Sequence, residues 1–218
     1  MKSLTTKLGV VGIMLISCAS LNAQIFTVQS GNWNSPSVWS GGIVPDASSG
    51  SITINHKVNV TGTSLTVDEL TLNDTLIIQS GSTVILNNAK GAAVDLQILT
   101  GGLKVRGNLI CRDSATFSGT TITNTFFYDG STYEHQYFNT AGTPPTAFWT
   151  TNSNLKITGY TNSKTLNNVL WSQSFGNVTY NCPGQLSFIE LAGRLKNIKG
   201  NLSILNTNGK VLRFLLDA

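Results

Sequence analysis

Gly176-Asn177-Val178-Thr179-Tyr180 returns as Gly200-Asn201-Leu202-Ser203-Ile204, a step of 24, and Gly107-Asn108-Leu109-Ile110 stands three steps of 23 before it. Around the outer copies the match lengthens to Val105-Arg106-Gly107-Asn108-Leu109 against Ile198-Lys199-Gly200-Asn201-Leu202. A fixed period of this size marks stacked units, each too short to bury its own apolar side chains. Neighbouring units then share one core that runs along an axis.

Between the repeats, apolar residues come in pairs two apart: Ile52 and Ile54, Val58 and Val60, Leu65 and Val67, Leu70 and Leu72, Leu76 and Ile78, Val84 and Leu86. Each pair leaves an extended strand on one face. Short breaks such as Asn55-His56, Thr61-Gly62, Asn73-Asp74 and Ser80-Gly81-Ser82 separate the pairs and carry turn residues. The steps from Ile52 to Leu76 and from Ile54 to Ile78 are again 24. Three short strands in each repeat predict an all-β, single-stranded parallel β-helix. The competing fold is a β-sandwich, which also has short alternating strands but joins them by hairpins. Ile52, Ile54, Leu76, Ile78, Val178 and Leu202 are expected inside.

Charged residues make up 11% of the 218, while Ser, Thr, Asn and Gly are abundant, which favours strands and turns over helix. Residues 1–23 read as a secretory signal peptide, with Lys2 and Lys7 ahead of an apolar run over 8–16. Without those two lysines, 12 basic residues face 10 acidic ones, too weak an excess to suggest nucleic acid. The rival to cleavage after Ala23 is Leu15-Ile16-Ser17-Cys18, a lipobox-like run that would anchor a lipoprotein through Cys18. An extracellular or outer-membrane surface location is expected, with the periplasm as the alternative.

The chain divides into this leader, a cap over 24–50, and coils over 51–218 interrupted by an aromatic-rich insert at 117–149. The cap contains Trp33, Trp39, Gly41, Gly42 and Pro45. Its two indoles would cover the apolar core and strand edges that a solenoid exposes at its end. The alternative is an aromatic binding platform. Gly31-Asn32-Trp33, Pro36, Trp39-Ser40-Gly41-Gly42 and Pro45 resemble the extracellular domain named for its eight glycines, and the Trp-rich opening of large Gram-negative surface proteins. The resemblance covers roughly residues 27–110. It implies a right-handed parallel β-helix on an exported, adhesin-like protein.

Nine of the chain's 18 aromatic residues fall in 117–149, with a Pro-containing loop over 140–146. They are either outsized core residues or an exposed platform for sugar rings. In Tyr133-Glu134-His135-Gln136-Tyr137, alternation puts Tyr133, His135 and Tyr137 on one face. With Trp149 these are the candidate ligand-binding residues, and a cell-surface or extracellular polysaccharide is the candidate partner. Glu134-His135 as a catalytic couple is the weaker alternative, and His56 reads as a solvated turn residue.

Further on, 175–185 and the Gly200 phrase resemble exported β-repeat proteins in which further repeats and a type IX sorting domain follow. The chain is accordingly expected to be the N-terminal part of something longer or a truncated product, with a dimer sealing two ends as the other reading. The 10 acidic residues are scattered along the chain. No P-loop, nucleophile elbow or metal-spaced His/Cys set occurs in the sequence. The expectation is a non-catalytic structural or adhesive module without cofactor or metal. A glycan-binding module and a polysaccharide-cleaving β-helix enzyme are the alternatives. Cys111 and Cys182, expected three coils apart, should be free and buried.

Overall fold

A computed structural model of the chain describes residues 24–89, 94–112, 114–166 and 168–214. The leader and Cys18 lie outside these residues. Among them there is no α-helix, only strands and three short 3-10 turns. Every strand pairing is parallel, apart from one isolated antiparallel bridge between Thr27 and Trp39. This is a β-solenoid of about 8 turns and not a sandwich.

Three sheets build the earlier coils, and one of them continues through the later ones. The longest is seven-stranded and stacks Ser64–Val67, Thr83–Leu86, Asn108–Arg112, Thr132–Gln136, Asn154–Ile157, Asn177–Asn181 and Leu202–Asn206 in chain order. A six-stranded sheet runs from Gly31–Asn32 through Val58–Val60, Thr75–Ile78, Gly102–Val105 and Thr125–Phe127 to Phe148–Trp149. A five-stranded sheet runs from Ile25–Phe26 to Phe117–Ser118. Lys164–Thr165, Ile189–Glu190 and Leu212–Arg213 form a smaller three-stranded sheet in the later coils.

The Gly-Asn phrase is the corner of a coil. Gly107 N–H donates to the Ile78 carbonyl, and a Cβ on Gly107 would lie 2.3 Å from the Gln79 carbonyl oxygen. Gly176 meets the coil beneath it in the same way, 2.3 Å from the Ser153 carbonyl oxygen. A glycine is required because the backbones of successive corners touch. The asparagines then link coil to coil: Asn154 Nδ2 donates to the Ser131 carbonyl at 3.0 Å, and Asn201 N–H to Asn177 Oδ1 at 2.9 Å. Gly176 and Gly200 occupy like positions, since Val178 pairs with Leu202.

Coil length varies more than the phrase suggests. Ile52 pairs with Leu70 and Val58 with Leu76 across short coils, whereas the coil that brings Leu103 onto Leu76 is half as long again. Ile52 and Leu76 therefore sit on different sheets, and their spacing in sequence is not a stacking register. From Asn108 onward the steps on the seven-stranded sheet settle at 22 to 24. Short corners shorten the early coils without disturbing the inward residues.

Alternation sets the core. Ile52, Ile54, Leu76, Ile78 and Val178 are buried as expected, but Leu202 is 42% exposed. It stands in register above Val178, and no described residue stacks on its other side. The stretch 117–149 is also not an insert. Thr125–Phe127 pairs in register with Gly102–Val105, and Thr132–Gln136 with Asn108–Arg112, so it contributes ordinary coils.

Residues 25–45 lie over the first coil. Trp33 and Trp39 are buried edge-to-face, ring centroids 4.8 Å apart. Their N–H groups donate to the carbonyls of Pro45 and Trp33. Gly41 and Gly42 both adopt positive φ in the turn that follows. His56 is half-buried rather than solvated, because its Nδ1 lies 3.0 Å from the Thr27 carbonyl and ties this segment to the first coil.

Candidate functional site

The four residues expected to bind sugar are inside the solenoid. Tyr133, His135, Tyr137 and Trp149 are all at most 1% exposed. Alternation does place Tyr133, His135 and Tyr137 on one face, but that face points inward, so none of them can serve as a stacking platform. The indole of Trp149 lies flat on Phe127, centroids 4.0 Å apart, and edge-on to Phe175 at 5.1 Å. Such rings fill the core of these coils, where smaller residues would leave voids.

The polar atoms of this aromatic core are satisfied by backbone carbonyls and by one another. Ala141 O can only accept, so His135 Nε2 carries the proton and donates across 2.9 Å; Nδ1 then accepts from the Tyr133 hydroxyl at 3.0 Å. Tyr160 O–H donates to the same Ala141 carbonyl at 2.6 Å, and Trp171 Nε1 donates to Gly142 O at 3.1 Å. Tyr137 donates its hydroxyl to the Ala115 carbonyl. His135, Tyr160 and Trp171 thus pin the 140–146 loop against the coils. Burial lowers the His135 pKa to about 3, so its imidazole is neutral. Burial likewise pushes the Tyr133, Tyr160 and Cys111 pKa values well up. Glu134 points to the opposite side and accepts from Thr158 Oγ1 at 2.8 Å. The pair Glu134-His135 is therefore split across the strand and forms no couple.

The outer side of the six-stranded sheet is different. Lys104, Phe126 and Phe148 stand in register on three successive rungs, facing away from the core that Leu103, Val105, Phe127 and Trp149 enter. Two positions further along these strands come Arg106, Tyr128 and Thr150. The Phe126 ring lies 6.1 Å from Tyr128, nearly parallel to it, and 6.2 Å from Phe148. The Arg106 guanidinium sits 4.1 Å above the Tyr128 ring. Lys199, far from its partner in sequence, donates to the Trp149 carbonyl at 2.5 Å and lies 5.1 Å from the centre of the Phe148 ring. Phe148 is 48% exposed.

Two shallow clefts flank this ridge. One of about 590 Å³ is lined by Arg106, Tyr128, Asp129, Phe148, Asn152 and Lys199 among others. The other, about 390 Å³, has Asp74, Lys104, Asn124 and Phe126 in its wall. Asp129 accepts from the Asn152 amide at 3.1 Å, and Asp74 from the Thr75 N–H at 2.6 Å, so both carboxylates are engaged by turns. Among the described residues, none pairs ionically with Lys104, Arg106 or Lys199. Nor does any group of three His, Cys, Asp or Glu among those residues come together as a metal site.

Compared with protein-family models, curated proteins and solved structures, the chain matches none.

The outer ridge carries the exposed chemistry, and it was partly readable. Phe126 and Tyr128 bracket the inward Phe127, and Phe148 follows Phe126 by one coil. Lys199 was not readable, because its contact with Trp149 depends on how the corners of later coils fold back.

Proposed function

We propose that the protein is an exported, non-catalytic adhesive or structural module of a cell surface, whose contact face is the outer ridge of the six-stranded sheet. The observation that carries this reading is the register of Lys104, Phe126 and Phe148, which lines up a cation and two aromatic rings on the outer side of one ladder, half-buried at Lys104 and Phe126 and exposed at Phe148. A pre-ordered surface loses little conformational freedom on binding. The residues most capable of chemistry in the aromatic stretch are committed to core hydrogen bonds, which supports a non-catalytic role.

The test is location. An epitope-tagged full-length chain expressed in its native cells is expected to lose residues 1–23 and become accessible to protease on intact cells. Labelling by a fatty acid through Cys18 would place it instead as an anchored lipoprotein. Retention in the cytoplasm with residues 1–23 intact would overturn the reading.

A further inference from the structure

We propose that the outer ridge binds an extended anionic polysaccharide, with sugar rings lying on Phe126, Tyr128 and Phe148 and its acidic groups held by Lys104, Arg106 and Lys199. The inference rests on the reading of this ridge as the contact face and names its ligand.

Three features argue for that ligand. Pyranose rings have apolar C–H faces that pack on aromatic rings, and the three rings here form one connected surface through Phe126. Arg106 and Lys199 sit directly against those rings and Lys104 stands one rung from Phe126, where a ligand stacked on the aromatics would meet them. They carry no carboxylate partner among the described residues, whereas Asp74 already accepts from the adjacent Thr75 N–H and Asp129 from the Asn152 amide of the next coil. An incoming carboxylate or sulfate is therefore the unmet complement of this surface.

Length points to a polymer. Two rung steps of ~4.8 Å separate Lys104 from Phe148, about 10 Å along the axis. The clefts continue on both sides of Phe126, one bordered by Lys104 and the other by Arg106 and Lys199. A single sugar could not touch both. Nucleic acid fits less well, because three cations neutralise few phosphates and the mature chain has only a small basic excess.

The experiment measures binding of the mature chain to polygalacturonate (carboxylated), dextran sulfate (sulfated), dextran (neutral) and single-stranded DNA. At least one acidic glycan is expected to bind, at least ten-fold tighter than dextran, and to weaken as salt rises. The carboxylated and sulfated arms identify which acid is read. Arg106→Gln and Lys104→Gln should each weaken acidic-glycan binding about five-fold, and Phe148→Ala by a similar factor. All three positions are exposed or half-buried and outside the core, and unchanged thermal midpoints verify that the variants fold.

If dextran binds as well as the acidic glycans and Arg106→Gln changes nothing while Phe148→Ala still weakens binding, the anionic class is wrong but the ridge stands. If DNA binds as tightly as either acidic glycan, the ridge is a general polyanion surface and the glycan assignment fails. If no glycan binds, the ligand assignment fails. If binding occurs and no ridge substitution affects it, the contact face itself is misassigned.

Discussion

His135 gives its Nε2 proton to the carbonyl of Ala141, 2.9 Å away, and so holds the 140–146 loop from inside the solenoid. Protonation would put a second N–H where Nδ1 now accepts from Tyr133, and a charge on a fully buried ring. The folded pKa of about 3 lies below the usual 6.5, so the unfolded chain takes up the proton first. The stability contributed by neutral His135 is complete above pH 6.5. It is lost at roughly 1.4 kcal/mol per pH unit as pH falls from there towards the folded value. His135→Gln should be less stable than wild type at about pH 7.5, with the gap shrinking steadily as denaturation is repeated down to about pH 4. A gap that did not change with pH would mean that His135 is not neutral and buried.

Ile78 is fully buried between Val60 and Val105 on neighbouring rungs. Ile78→Asp places a carboxylate there with no partner in reach and should destabilise by more than about 4 kcal/mol. Ile77→Asp is the control, since Ile77 points outward on the same strand and should change stability by less than about 1 kcal/mol. Urea denaturation of both variants measures the difference. Similar midpoints would invert the assigned face.

Alternation made the inward dyads legible because a strand has a period of two, and Ile52, Ile54, Leu76 and Ile78 needed nothing more. The same rule groups Tyr133, His135 and Tyr137 but does not say whether their shared face points in or out. The core and platform readings both stayed open on the residues alone. The acceptors for His135 and Tyr137, Ala141 O and Ala115 O, are backbone groups on loops whose paths no pattern encodes. Leu202 repeats Val178 in sequence and in register, yet burial also requires a coil above it. The outer ridge was visible only in part, since stacking of Phe126 on Phe148 depends on a coil slightly shorter than the step of the Gly-Asn phrase.

Asp95 is enclosed near the five-stranded sheet. One carboxylate oxygen accepts from the Thr116 N–H and hydroxyl at 2.6 and 3.1 Å, while Oδ1 has no partner among the described residues. Burial raises its pKa against the opposing pull of the Thr116 hydrogen bonds. A carboxyl whose folded pKa is raised costs stability above that pKa and ceases to do so once protonated. Asp95→Asn retains an acceptor for Thr116 without the charge, so its thermal midpoint should exceed that of wild type at about pH 7. The advantage should disappear as pH falls through the carboxyl range. A lower midpoint for the variant at neutral pH would mean that the charge is compensated.

Cys111 pairs with His135, His135 with Ile157, and Ile157 with Tyr180, which lies just before Cys182 on the same strand path. The two cysteines are therefore about three rungs apart, or ~14 Å at a strand spacing of ~4.8 Å. A disulfide needs Cα atoms within ~7 Å, so the coils hold them beyond bonding distance even in an oxidising compartment. Both are free and fully buried, and burial raises both thiol pKa values. Cys182 makes a weak contact to the Ile157 carbonyl at 3.6 Å, while Cys111 fills core space between Leu86 and His135. A chain of residues 24–218 should show no thiol reactive to a bulky reagent when folded, and two, Cys111 and Cys182, when unfolded without reductant. Cys111→Ala removes little volume and should cost about 1 kcal/mol. Finding no thiols in the unfolded, unreduced chain would bring the cysteines within bonding distance and break the three-rung register on which the seven-stranded sheet depends.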